Sequence, residues 1–464
     1  MRASADDVLI RIVIELSTAY PDGVTAAAER IARLIREIAP QAPLKRVDSY
    51  VATDLTGPQI EQLVRDDTER DRLAQPGPPD SSSRAPRCSI HRIWPNFDVY
   101  PLITRSVVTT KVAAAHRAFH AFGQGIVWAV LDSGVDAGHE HFRLHRNLDL
   151  DNGMRHRNFV GTDHAEAKRD GAGHGTHVAG ILAGERVLST RARPMVAATW
   201  YEDHDGSLLA TRQELRAVSG MAPQCKILSC KVLRDDSSGD LMALLEALRY
   251  IQELNDGGRD LRVHGVNLSV GYPFDPTWFA AGNTPVCREV NRLVRSGVVV
   301  VAAAGNTGFG YALGPDEKRI RLGFDLTIND PGNAEQAITV GSTSANPHDT
   351  GVSYFSSKGP TGDGRLKPDV VAPGERVISA GAGALLEEAR VKVPDATYVE
   401  HSGTSMAAPH VSGLAAAFLS VHREFIGRPE EVKRILLASA TDLGRAREFQ
   451  GRGLVDAMRA IQAV

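Results

Sequence analysis

Cysteine is scarce: four residues (Cys88, Cys225, Cys230, Cys287) in a chain of 464, none of them in a Cys-x-x-Cys pair. That excludes a disulfide framework and argues against a cysteine-bound structural metal. Cys225 and Cys230 are five apart on one apolar run, so their side chains face opposite sides of a strand and cannot bridge each other. Long apolar stretches are missing too. The longest, Val298 to Ala304, falls far short of the roughly 20 residues that span a bilayer, so no transmembrane helix is expected. Neither charge dominates: 53 Lys+Arg stand against 56 Asp+Glu, a formal net charge of -3. Nothing electrostatic therefore points to nucleic acid or an anionic membrane as partner. The start, MRASADDVLIRIVIEL, carries Arg11 and Glu15 inside its apolar stretch and lacks a small-residue cleavage site. It does not read as a secretory signal, so a cytoplasmic product is expected, with secretion the alternative if a signal lies outside this sequence.

What is present is enough apolar material to fold. Hydrophobic residues make up 42% of the chain, too many for disorder, and the length allows two or three domains. Residues 8–16 alternate apolar and charged like a strand, and Thr25 to Ala39 places Ile31, Leu34, Ile35 and Ile38 on one helical face. Val47 to Ala52 reads as a second strand. Thr56-Gly-Pro-Gln59 has the form of a capping box that opens a helix through Arg72. Gln75 to Pro86 is a Pro/Ser stretch without an apolar face, hence a loop, and Ser89 to Tyr100 is extended. Together these predict a small α+β domain over residues 1–102.

From residue 103 to 464 the pattern changes. Short, mostly β-branched runs (Ile126–Leu131, Lys226–Leu233, Val263–Val270, Val298–Ala304, Ala337–Val340) alternate with the helical segments Leu241–Leu254 and Val286–Arg295. Strands buried on both faces between helices predict a three-layer α/β domain around a mainly parallel sheet. Arg186–Val218 and Gly308–Asn329 read as polar surface insertions.

Ligand sites of such sheets lie beyond the carboxyl ends of the strands, and four motifs fall there. An acid ends a buried strand in Ala129-Val-Leu-Asp132. A histidine flanked by glycines opens a helix in Gly173-His174-Gly-Thr-His177. An amide follows a strand in Ala302-Ala-Ala-Gly305-Asn306, and a serine opens an apolar helix in Ser402-Gly-Thr-Ser405-Met-Ala-Ala-Pro-His410. Singly, each has an ordinary role: Asp132 as a turn former, His174 in a surface turn, Asn306 and Ser405 as helix caps. His174 and His177 are three apart, and no nearby Cys or Glu completes a metal set. The joint occurrence in this order is not ordinary.

In that order the sequence resembles the subtilases, the subtilisin-like serine peptidases. The match over Gly403–Gly413 is long, and similarity continues through Phe355–Thr361, Arg365–Gly374 and Gln450–Asp456, covering about residues 125–460. The resemblance implies a subtilisin-like three-layer fold and hydrolysis of peptide bonds through an acyl-enzyme. Asp132, His174 and Ser405 would be the triad, with Asn306 in the oxyanion hole. The chemistry agrees, since a serine hydroxyl needs an imidazole to take its proton and the acid holds that imidazole's tautomer. A helix start also directs N–H groups at an oxyanion. By the same resemblance Asn267-Leu-Ser269-Val270-Gly271 and Ala303-Ala304-Gly305 wall the pocket for the residue before the scissile bond. Ser238-Gly239 would pair with extended substrate. The walls are uncharged, which favours an apolar or aromatic residue there.

The chemistry requires no cofactor. The resemblance implies structural calcium, yet the calcium loop's motif is not recognisable in Arg186–Val218, and Asp136, Asp149 and Asp151 read as a solvated loop. Residues 1–102 resemble a subtilase pro-domain, an intramolecular inhibitor and folding aid. Its tail, Val99-Tyr-Pro-Leu102, would lie in the groove and be cut after Leu102. The expected partners are a peptide or protein substrate and the chain's own N-terminal domain. Two rivals stand beside this reading. One is an exopeptidase of the tripeptidyl peptidase type, its groove blocked at one end by Gly308–Asn329. The other is a non-catalytic binding protein on the same scaffold, which usually needs a damaged triad.

Overall fold

The computed structural model describes residues 8–73, 88–95, 105–151, 153–202, 208–273, 281–313 and 319–464. The Gln75–Pro86 segment and the Val99–Leu102 junction lie outside the described residues. The chain divides into two compact units, Met1–Pro101 and Leu102–Val464.

The first unit runs β1 (Ile10–Leu16), α1 (Gly23–Ile38), β2 (Lys45–Val47), β3 (Tyr50–Leu55), α2 (Gly57–Leu73) and β4 (Ile90–Pro95). Its strands form an antiparallel sheet in the order β2-β3-β1-β4. Alternation along β1 turns Ile12, Ile14 and Leu16 into one core with Ile31, Leu34 and Ile35 of α1. Where periodicity predicts one strand over Val47–Ala52, the chain instead turns at Asp48 (φ 46°), and β2 and β3 pair as a hairpin. A short polar side chain tolerates that left-handed backbone, which an apolar pattern does not reveal. The capping box forms, with Thr56 N donating to Gln59 Oε1 at 2.9 Å and Gln59 N to Thr56 Oγ1 at 3.4 Å. Buried Asp67 of α2 accepts from Ile90 N at 3.0 Å, and Arg30 Nη2 donates to the Asp67 carbonyl at 2.7 Å. One helix thereby holds both β4 and α1.

The second unit opens with α3 (Arg105–Thr109) and α4 (Val112–Phe119). Then follow β5 (Val127–Asp132), β6 (Arg157–Asn158), α5 (His174–Leu182), β7 (Glu185–Val187), β8 (Met195–Glu202), β9 (Leu208–Leu215), β10 (Ala217–Ser219) and β11 (Lys226–Lys231). After them come α6 (Leu241–Leu254), β12 (Gly265–Leu268), α7 (Pro285–Arg295), β13 (Val299–Ala303), β14 (Phe309–Leu313) and β15 (Arg319–Gly323). The rest includes β16 (Ile338–Ser344), β17 (Val370–Glu375), β18 (Val377–Ala380), α8 (Gly383–Lys392), β19 (Tyr398–His401) and α9 (Thr404–Val421). The central sheet has seven strands in the order β17-β16-β13-β12-β5-β11-β6, each pair parallel.

On one face Val178, Leu182, Val411 and Phe418 of α5 and α9 share a core with Val130 and Val301. On the other, Leu244, Ile251, Val290 and Leu293 of α6 and α7 share a core with Val266 and Val300. A sheet covered on both sides calls for near-continuous apolar runs, which the sequence carries with a few buried polar breaks such as Ser229 and Asn267. Cys225 and Cys230 fall in the two different cores, and both are buried thiols, as is Cys287. The packing is tight: a Cβ at Gly265 would lie 2.3 Å from the Trp128 ring. Among the described residues no helix is long and apolar enough to cross a membrane.

The two segments read as polar insertions carry more structure than that. In Arg186–Val218, β8 and β9 pair along their length and join β19 and β18 in a second sheet, ordered β18-β19-β8-β9. Val196 and Ala198 pack with Leu386 and Val399, and Ala197 with Tyr398. The charged flanks Arg191, Arg193 and Glu202 hide the apolar centre of β8 from a reading by composition. Gly308–Asn329 holds the antiparallel β14–β15 hairpin, described except at 314–318.

Burial of histidines makes this unit sensitive to acid. His141 is fully buried, its Nε2 donating to the Gly180 and Ala183 carbonyls at 3.1 Å and its Nδ1 accepting from Tyr398 Oη at 3.3 Å. That arrangement needs the neutral ring, and burial pushes its pKa down to about 3. Burial likewise holds His177 near 3, and His401 and His410 near 4. An unfolded histidine titrates at about 6.5, so below that the unfolded chain binds protons that the native chain refuses. Stability is therefore full above about pH 6.5 and is lost as pH falls toward 4. His174 has the opposite sign, because its pKa is raised. The unfolding temperature should drop steeply between about pH 6.5 and 4.5, with net proton uptake on unfolding in calorimetry across several buffers. A flat profile over that range would mean that these rings are not held neutral.

Candidate active site

Asp132 is the last residue of β5 and is fully buried at the carboxyl edge of the sheet. Facing it, α5 begins at His174, capped by Gly173 at φ 92°. Only glycine fits there: besides the left-handed backbone, a Cβ would lie 2.0 Å from the Ala382 carbonyl oxygen. His174 Nδ1 donates to Asp132 Oδ1 at 2.7 Å, leaving Nε2 as the open nitrogen of a side chain about a quarter exposed. Burial alone would lower the His174 pKa, but the charge and hydrogen bond of Asp132, helped by Asp170, raise it.

Ser405 lies in the first turn of α9. Its hydroxyl donates to the Ser269 carbonyl at 2.9 Å, and Ser269 Oγ donates back to the Ser405 carbonyl at 2.8 Å. The second bond has a cause in sequence. Pro409, four residues on, lacks the N–H that would ordinarily reach the Ser405 carbonyl, and Ser269 Oγ supplies the donor instead. Asn267 Nδ2 then donates to Ser269 Oγ at 2.9 Å, and Ser412 Oγ to Asn267 Oδ1 at 2.8 Å. A ladder of side chains thus fastens α9 to the end of β12.

Asn306 follows β13. Its Oδ1 accepts from Thr404 N at 2.9 Å and from Thr404 Oγ1 at 3.0 Å, while Thr404 Oγ1 accepts from Gly305 N at 3.0 Å. With the carbonyl end so occupied, the amide keeps its N–H donors for the cleft.

His174, Ser405 and Asn306 line one cleft of about 340 Å³, with Asp132 behind the imidazole. Of the expected walls, Ser269, Val270, Gly271, Ala303 and Gly305 also line it. Ala304 does not: it is buried, and its carbonyl accepts from Asn329 N at 2.9 Å. Gly239 lines a second, adjoining cleft of about 310 Å³ with Leu241, Leu244 and Tyr272. Ser238 lines neither and sits in a turn, its N–H donating to Asp236 Oδ1 at 2.9 Å. Thr307, Asn329 and Thr404 line the first cleft without having been singled out from sequence. Thr404 stood beside Ser405 in the matched motif, whereas Asn329 has no local signal. Of the acids Asp136, Asp149 and Asp151, the first two are engaged by groups of the chain itself. Asp136 Oδ1 accepts from Gly138 N at 2.9 Å, and Asp149 pairs with Arg146 at 2.7 Å. Among the described residues no three His, Cys, Asp or Glu side chains could hold a metal together.

A serine hydroxyl, an imidazole held by a carboxylate and an open amide donor around one cleft are the equipment of a serine peptidase. The Subtilase family (Peptidase S8) matches residues 123–454, and the chain belongs to that family. It is 28% identical over 396 residues to the serine protease AprX of Bacillus subtilis (strain 168), covering 81% of this chain and 75% of AprX. Subtilisin DY of Bacillus licheniformis is 27% identical over 340 residues, covering 73% of this chain and 92% of its own. An intracellular serine protease of Paenibacillus polymyxa is 29% identical over 339 residues, 72% of this chain and 79% of its own.

Proposed function

We propose that the chain is a serine endopeptidase that cuts peptide bonds through an acyl-enzyme on Ser405. The observation that carries this reading is the 2.7 Å bond from His174 to Asp132 beside the cleft that takes Ser405 and Asn306. On attack, the Ser405 proton leaves the Ser269 carbonyl for His174 Nε2 while Oγ bonds to the substrate's carbonyl carbon. The carbonyl electron pair passes to its oxygen, where Asn306 Nδ2 and the Ser405 N–H meet it. Collapse breaks the C–N bond, and the amine departs with the proton from the imidazolium. Water then repeats the sequence on the acyl group and frees Ser405. Asp132 stays ionised throughout and steadies the imidazolium.

The two adjoining clefts share Leu233, Ser237, Val270 and Gly271, which suits an extended peptide with apolar side chains in successive pockets. Among the described residues no charged side chain besides His174 lines the first cleft, which offers a cationic residue no partner there. Among the described residues of Gly308–Asn329, only Asn329 lines that cleft. That favours an endopeptidase over an exopeptidase with a blocked groove. Four intact side chains, Asp132, His174, Ser405 and Asn306, argue against a silent scaffold.

Residues 1 to about 102 are, on this reading, an intramolecular inhibitor and folding aid removed by a cut after Leu102. A parallel sheet with distant pairings folds slowly, which gives a removable template a kinetic rationale. Three buried, unbridged thiols fit action in a reducing compartment such as the cytoplasm.

Three outcomes test the reading. A fluorophosphonate probe should label processed wild type and leave Ser405→Ala unlabelled; folded wild type that resists the probe refutes the serine mechanism. Asn306→Ala should lower kcat about 100–1,000-fold with KM nearly unchanged, and equal turnover removes Asn306 from the chemistry. Wild type should yield a fragment of about 39 kDa from the 49.9 kDa chain, while Ser405→Ala stays whole. N-terminal sequencing that starts outside about residues 98–108 refutes the junction, and a fully active uncut chain refutes the pro-domain.

A further inference from the structure

We propose that Asp170 is a positioning residue for the catalytic acid: it takes the single hydroxyl proton of Ser133 and so keeps a competing donor off Asp132 Oδ1. This rests on the roles of Asp132 and His174 proposed above.

Asp170 is 6% exposed and stands at the turn before α5. Four donors converge on its carboxylate. Oδ1 accepts from Gly173 N at 2.7 Å and Ser133 Oγ at 2.8 Å, and Oδ2 from Thr176 N and Thr176 Oγ1, both at 2.7 Å. It therefore joins the first turn of α5 to the residue after Asp132. Ser133 Oγ is contested. It lies 2.8 Å from Asp170 Oδ1 and 3.3 Å from Asp132 Oδ1, and already accepts from Gly175 N at 2.9 Å. A serine has one proton to give, and the shorter contact takes it.

The consequence falls on Asp132. Among the described residues its buried Oδ2 has no hydrogen-bond partner, and its bonds run through Oδ1: His174 Nδ1 at 2.7 Å and Ser133 N at 2.8 Å. A third full donor on Oδ1 would share the same lone-pair density and weaken the hold on the imidazolium. Ionised Asp170 turns that donor away. Protonated Asp170 would donate its own O–H to Ser133 Oγ and send the serine proton to Asp132.

Several charged groups border this pair. Across Ser133 are Asp132 and His174. From β11, Lys231 Nζ donates to the Ser133 carbonyl at 2.5 Å and to Asp235 Oδ1 at 2.7 Å. Asp235 abuts Gly171, where a Cβ would meet its carboxyl carbon at 2.3 Å. Arg169, next in the chain, pairs with Glu166 at 2.9 Å, and α8 meets the turn through Ala384 N and Leu385 N. Burial raises the Asp170 pKa above the usual carboxylate value, against the hydrogen bonds that lower it.

The test reads the His174 Nδ1–H proton resonance in the full-length Ser405→Ala protein, where neither autolysis nor activity intervenes. As pH falls through the Asp170 titration, the imidazolium resonance should step upfield, and in Ser133→Ala/Ser405→Ala the step should vanish. With Ser405 intact, Asp170→Asn should lose about tenfold in kcat/KM, carried by kcat, and its acid limb should move to lower pH, as for a weakened ion-pair hydrogen bond. A step that persists without the Ser133 hydroxyl overturns the proposal. So does an Asp170→Asn enzyme that loses activity with an unmoved acid limb, since a merely structural role predicts that. If Asp170→Asn does not fold, the Ser133→Ala comparison decides alone. Persistent activity in Ser405→Ala would instead refute the peptidase mechanism and leave the resonance test standing.

Discussion

The cleft is organised around one buried carboxylate. Asp132 has no exposed surface, and an ionised group so placed is tolerated only when paired and hydrogen-bonded. The 2.7 Å bond to His174 meets that need and fixes the imidazole in place. The rest of the site follows from it. β5 is flanked by β12 and β11, with Leu268 in register with Leu131 and Lys231 with Asp132. The acid therefore ends a strand that cannot shift. Gly173 brings α5 close enough for the bond, because a side chain there would strike the backbone at Ala382.

A missing hydrogen bond organises the serine. Pro409 frees the Ser405 carbonyl within α9, and Ser269 fills the gap from the end of β12. The same serine's carbonyl accepts the Ser405 hydroxyl, so one residue holds both ends of the helix's second position. Asn306 is oriented by Thr404, the neighbour of Ser405, so the amide is tied to the residue beside the serine. Side chains at the carboxyl edge of the sheet thus tie α5 to β5, and α9 to the ends of β12 and β13.

The second sheet bears on the same region. β19 ends at His401, just before α9, and pairs in parallel with β8 through Tyr398–Ala197 and Val399–Ala198. That pairing stiffens the segment that delivers Ser405. It also sets the His401 ring edge-on to His174, with centroids 6.4 Å apart. A second imidazolium there would oppose the first, and burial together with His174 keeps His401 neutral.

The sequence by itself determined the parallel sheet, the helices that cover it and the residue types at the strand ends. Apolar period, capping residues and motif order act within a dozen residues of chain, and Leu241–Leu254 spans the same residues in sequence and in structure. The places of Asp132, His174, Asn306 and Ser405 were legible because each sits at such a boundary, a strand end or a helix start. The turn at Asp48 was not legible, since a left-handed residue leaves no apolar signature. The strands within Arg186–Val218 were hidden by charged flanks. Only the tertiary structure decided which carbonyl receives the Ser405 proton, which donor replaces the missing N–H of Pro409, and that Asn329 lines the cleft while Ala304 does not. The Ser269–Ser405 bonds span 136 residues, and no local pattern records a partner so far along the chain.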